Sequence, residues 1–171
     1  MSNGYRFPVD RTGILLFASA LGETNPIYWD EEYAKKTPLG GVIAPPTFAV
    51  SAAHWDGNYA LRGVRKIPAP PPKAPEPASA AAKGGAASGG GGGGMNLARV
   101  LHGEQRFEYH KPLLAGMQLT VTQRAGKTWT KEGKKGGVMR FSESVAEYRD
   151  EKGELVVTAT SVGIVTEKAV Q

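Results

Sequence analysis

The chain has 171 residues, 40% of them hydrophobic, which is enough for one domain with a sizeable core. It contains no cysteine, so disulfide scaffolds and thiolate metal sites are excluded, and a reducing cytoplasm is the default location. The net charge is +5, but the densest basic cluster, KEGKK at 131–135, reads as a solvated hairpin tip rather than a nucleic-acid face.

The N-terminal MSNGYRFPVD lacks the order of a secretory signal, and no apolar run approaches the roughly 18–20 residues that cross a bilayer. No membrane or nucleic-acid partner is therefore expected. The three histidines, His54, His102 and His110, fall in no metal-ligand spacing, so no metal and no cofactor is called for.

Taken in order, the first half reads as helical pieces. Asp10 caps a helix over RTGILLFASALG, with Ile14, Leu15, Phe17, Ala18 and Leu21 on one side and Gly22 as its stop. Asp30 caps a short second helix, EEYAKKT, halted by Pro38. A third begins at PPTFAVSAAHWD, where Pro46 suits a first helical turn because its missing N–H needs no partner. Residues 67–94 are a block rich in proline, alanine and glycine. Such a composition cannot bury enough apolar surface to order itself, and it reads as a flexible insertion within a single domain spanning 1–171.

Beyond the block the period changes to two. EQRFEYH, MQLTVTQ, MRFSESVAEYRD and ELVVTATSVGIV read as strands. Hairpins are expected at KEGKKGG and at DEKG, where Gly153 takes the position that needs positive φ. A run of long antiparallel strands after an apolar helix implies an α+β class, a curved antiparallel sheet wrapped around a central helix.

Four segments carry a resemblance: FASALGETNPIYWDEEYA, GGVIAPPTFAV, LHGEQRFEYHKPLLAGMQLTV and EYRDEKGELVVTATSVGIV. They resemble the hot-dog fold of MaoC-like hydratases and dehydratases, above all the N-terminal domain similar to type I fatty-acid-synthase dehydratase. The resemblance implies water addition to, or removal from, an acyl thioester of coenzyme A or acyl carrier protein. Active members read G-D-x-N-P-hydrophobic-H, whose Asp and His handle one water, work worth roughly 10²–10⁴-fold in rate. A backbone N–H at the start of the central helix polarises the thioester carbonyl.

This chain departs from that pattern at three places. Glu23 stands where the family has Asp, Tyr28 where it has His, and Pro46 where a glycine would supply the N–H. A phenol with a pKa of about 10 is a poor proton shuttle at neutral pH, and proline has no N–H to donate. Asn25, Ala44, Pro46 and Thr47 are the positions the resemblance marks for substrate binding, with Glu23 and Tyr28 at the degenerate catalytic positions.

The pattern is similar to the accessory subunit of a two-part dehydratase, paired with a second hot-dog subunit that carries the Asp and His. Two alternatives stay open. One is a self-sufficient homodimeric enoyl-CoA hydratase using Glu23 and Tyr28. The other is an acyl-thioester-binding protein or a hot-dog thioesterase.

Overall fold

The computed structural model describes residues 4–57, 59, 100–133 and 137–167. The block at 67–94 and Lys134–Gly136 of the KEGKKGG hairpin lie outside them. In chain order the elements are strand β1 (Tyr5–Pro8), helix α1 (Arg11–Leu21), a 3₁₀ turn (Pro26–Tyr28), helix α2 (Glu31–Lys35), a 3₁₀ helix (Phe48–Trp55), and strands β2 (Val100–Tyr109), β3 (Gln118–Gly133), β4 (Gly137–Arg149) and β5 (Leu155–Thr166). The strands form one antiparallel sheet in the order β1-β3-β4-β5-β2.

The period-two segments become strands as expected. Tyr148 faces Val157, Ala146 faces Ala159, and Ala159 faces Phe107, so these residues share the face that carries the core. Seven residues along β4 from Tyr148, Phe141 must point to the opposite face. There it stacks on Trp129 with ring centroids 5.1 Å apart, in one row with Ile164 and Leu101. The β4–β5 turn forms on Asp150. Its carboxylate accepts the N–H groups of Lys152 at 3.0 Å and Glu154 at 2.9 Å, and Gly153 sits at φ 80°.

Strand β1 was not anticipated. Its four residues pair with β3, Phe7 opposite Leu119 and Tyr5 opposite Val121, and they close that edge of the sheet. Phe7 is buried between Phe48, 5.7 Å away, and Tyr148, 6.3 Å away, and Phe17 of α1 packs edge-on to Phe48 at 5.4 Å. These aromatic pairs join β1, α1 and the 3₁₀ helix into one core.

Two expectations about helices need correction. Helix α1 buries Ile14 and Ala18, with Phe17 packed against the core, while Leu15 and Leu21 are exposed. Leu15 is about 100° around the helix from Ile14, and Leu21 lies in the last turn. The segment on the core face of the sheet is a 3₁₀ helix, Phe48–Trp55, starting two residues later than Pro46. Its Val50 N–H donates to Thr47 rather than to Pro46. The Pro46 and Ala49 carbonyls instead accept the hydroxyls of Tyr109 and Tyr148, the latter at 2.9 Å. Phenols from the sheet thus satisfy carbonyls that an α-helix would use internally.

Candidate functional site

The loop from Glu23 to Asp30 is held at both ends. At its start, α1 is capped by Asp10, which accepts the Gly13 N–H at 2.8 Å, and ends at Gly22 with φ 72°. The Gly22 N–H donates to Ser19 and the Glu23 N–H to Ala18, a closure that only a left-handed residue permits and that fixes where Glu23 leaves the helix. The Asn25 side-chain oxygen accepts the Ile27 N–H at 3.0 Å and caps the 3₁₀ turn that carries Tyr28. At the far end, Asp30 caps α2 by accepting from Tyr33 at 3.0 Å. The Arg11 guanidinium donates to the Trp29 carbonyl at 3.2 Å and pairs with Glu31 at 2.5 Å, which ties the loop back to the start of α1.

Within this loop Glu23 and Tyr28 are both half-buried. The Tyr28 phenol is pushed above its ordinary pKa by burial and then by the Glu23 carboxylate. At neutral pH this phenol stays protonated, so it can donate a hydrogen bond. A phenol protonated at neutral pH is a poor proton shuttle there.

A second segment, residues 42–47, lies next to this loop. The Ile43 N–H donates to the Ile27 carbonyl at 3.4 Å, linking it directly to the turn before Tyr28. On its other side it pairs with residues 113–115: the Ala44 N–H donates to Leu113 at 2.8 Å and the Ala115 N–H to Val42 at 2.9 Å. Ala44 and Pro45 are buried, whereas Pro46 and Thr47 are exposed. Thr47 occupies the capping position of the 3₁₀ helix but makes no side-chain capping bond.

Ala44 and Pro46 line a cavity of about 350 Å³ together with Ile43, Tyr109, Pro112 and Leu113. The positions marked by sequence therefore divide in two. Glu23, Asn25 and Tyr28 share the first loop, with the Asn25 oxygen already used in its own turn. Ala44 and Pro46 share the cavity, and Thr47 stands beside it in sequence.

Sequence reasoning missed Tyr109. Its hydroxyl donates to the Pro46 carbonyl, and burial pushes its pKa up to about 12. The signal was present in FEY, where alternation puts Tyr109 on the same face as Phe107. His54 ends the 3₁₀ helix with its ring edge-on to Tyr59 at 5.2 Å, His102 is exposed on β2, and the His110 ring meets the Thr158 hydroxyl at 3.1 Å.

Residues 1–159 match the family model described as FAS1-like, dehydratase domain region. A UPF0336 protein of Streptomyces griseus subsp. griseus is 32% identical over 153 residues, covering 90% of this chain and 81% of that protein. A probable enoyl-CoA hydratase alpha subunit of Thermomonospora curvata is 29% identical over 151 residues, covering 88% of this chain and 43% of that protein. Among solved structures, a chain of the C-terminally truncated HadBC (3R-hydroxyacyl-ACP dehydratase) complex of Mycobacterium tuberculosis has the same fold. The TM-score is 0.65 at 20% identity, covering 96% of this chain and 94% of that chain.

Proposed function

The chain belongs to the FAS1-like dehydratase-region family and has the hot-dog fold of MaoC-like dehydratases, and from that premise we propose that it is the degenerate-site subunit of an (R)-specific enoyl-thioester hydratase or 3-hydroxyacyl-thioester dehydratase. The observation that carries this reading is Tyr28. A half-buried phenol ends the 3₁₀ turn at the position where the reaction needs an imidazole. Pro46 supports it, since that residue offers no N–H and its carbonyl already accepts from Tyr109. The turn that would polarise a thioester carbonyl thus lacks its donor.

In the proposed assembly a second hot-dog subunit supplies the Asp and His. These activate water for attack on C3 of the enoyl thioester and deliver the proton to C2, or run the same steps backwards. This chain contributes apolar wall to the acyl tunnel and the carboxylate–phenol pair near it. The names of two similar proteins, an alpha subunit and a HadBC complex, support a two-subunit arrangement.

The test is hydration of crotonyl-coenzyme A. The purified chain alone should show turnover at least 10²-fold below that of its co-expressed complex with a hot-dog protein bearing the G-D-x-N-P-x-H loop. Strong turnover by the chain alone, abolished by Glu23→Gln, would instead support the self-sufficient homodimer. That Glu23 keeps a carboxylate in this loop, half-buried like Tyr28, favours that second reading.

A further inference from the structure

Several polar groups in the lining of the cavity beside Pro46 are engaged within the chain. The Tyr109 hydroxyl donates to the Pro46 carbonyl, and the His110 ring meets Thr158. The Lys111 ammonium is held by Asp150 at 3.1 Å and by Glu154. The Leu113 carbonyl accepts from Ala44, and the backbone N–H groups of His110 and Lys111 donate to Val156. The apolar surface of the cavity comes from Ile43, Ala44, Pro112, Leu113 and the Tyr109 ring. A hydrocarbon chain laid against this surface displaces none of those hydrogen bonds. At about 350 Å³ the space suits on the order of ten non-hydrogen atoms, taking about 30 Å³ for each.

We propose that this cavity takes the aliphatic part of the ligand and that Tyr109 determines the chain length it accepts. The inference rests on the acyl-thioester reading given above. The tether to Pro46 fixes where the ring stands: β2 holds one end of the side chain and the turn before the 3₁₀ helix holds the other. A side chain fixed at both ends sets a wall, and the ligand has to fit that wall.

The cavity is lined by residues of this chain, so binding is measured both on the purified chain and on its co-expressed complex with the hot-dog partner. The experiment is calorimetric titration of free coenzyme A and of saturated acyl-coenzyme A thioesters from four to twelve carbons. The protein would be wild type, Tyr109→Phe and Tyr109→Leu, with circular dichroism to establish that each is folded. For wild type, affinity should rise about fourfold per methylene up to a limit and then fall. Tyr109→Leu should move that limit outward by at least two carbons. Tyr109→Phe, which keeps the ring and releases the tether, should blunt the fall beyond the limit and does not depend on the more drastic variant folding.

An unchanged length profile in both variants overturns the role of Tyr109 and leaves the thioester reading intact. Equal affinity for free coenzyme A and every thioester removes the cavity as an acyl site, again without touching that reading. If neither the chain nor its complex with the hot-dog partner binds a thioester of any length, the thioester reading falls and takes this inference with it.

Discussion

The sheet ends in two different ways. On one side β1 is only four residues long, yet Phe7 is 1% exposed and Val9, just after the strand, is fully buried. On the other side β2 runs for ten residues, and none of them is buried. A four-residue edge offers few backbone donors and acceptors to a further strand, while among the described residues the ten-residue edge offers a longer row. The β1 edge therefore belongs to the stability of this chain. The β2 edge, on the proposed reading, belongs to its assembly, and the cavity beside Tyr109 lies at the end of that strand.

The largest test of this contrast is a pair of truncations. Phe7→Ala should cost about 3–5 kcal/mol in denaturant unfolding, the usual range for a phenylalanine removed from a core. Phe107→Ala, half-buried on β2, should cost about 1–2 kcal/mol. Equal losses would show that β2 is as much part of the core as β1.

The two tyrosines sharpen the same contrast. Tyr148→Phe leaves the Ala49 carbonyl without its partner in a buried setting, and should lower stability by about 1–3 kcal/mol. Tyr109→Phe, on the edge strand, should change the unfolding free energy by no more than about 0.5 kcal/mol. Next in size is Asp10→Ala, which removes the cap of the helix that follows β1 and should cost about 1 kcal/mol in the same assay.

The smallest effect concerns the anchor at the far end of β2, where Lys111 meets Asp150 and Glu154. Desolvation pushes the Asp150 carboxyl up, but the Glu154 N–H, the Lys111 ammonium and the Lys152 N–H together bring it below its usual pKa. A carboxyl lowered in the folded state adds stability that is present above its unfolded value of about 3.9 and is lost as pH falls through the folded value. Thermal unfolding followed from pH 5 to 2 should therefore show a shallower decline for Asp150→Asn than for wild type. Parallel curves would mean that this turn contributes nothing to acid stability.

Much of this architecture was legible because its signals are local. Alternation marked β2 to β5, Asp10 and Asp30 marked two helix starts, and Gly22 and Gly153 adopt the positive φ their turns require. Strand β1 was not legible, since four residues ending in proline carry little periodicity and its partner, Leu119 to Val121, lies more than a hundred residues further on. The 3₁₀ form of Phe48–Trp55 was hidden for the same reason: the hydroxyls that take its carbonyls come from distant strands. At the candidate site, sequence could name Glu23, Tyr28 and Pro46 through resemblance. The seating of Ala44 and Pro46 against Tyr109 and Leu113 is a tertiary fact with no local trace.

The row of Trp129, Phe141, Ile164 and Leu101 on the other face of the sheet has an optical consequence. Trp129 sits on a stacked ring near the tip of the β3–β4 hairpin, away from Trp29 in the loop and Trp55 at the end of the 3₁₀ helix. With those two replaced by phenylalanine, its fluorescence becomes a thermometer for the hairpin tip alone. A transition there that runs ahead of the far-ultraviolet signal would mean the long strands fray from their tips inward. Coincident transitions would mean that β3, β4 and β5 melt as one unit.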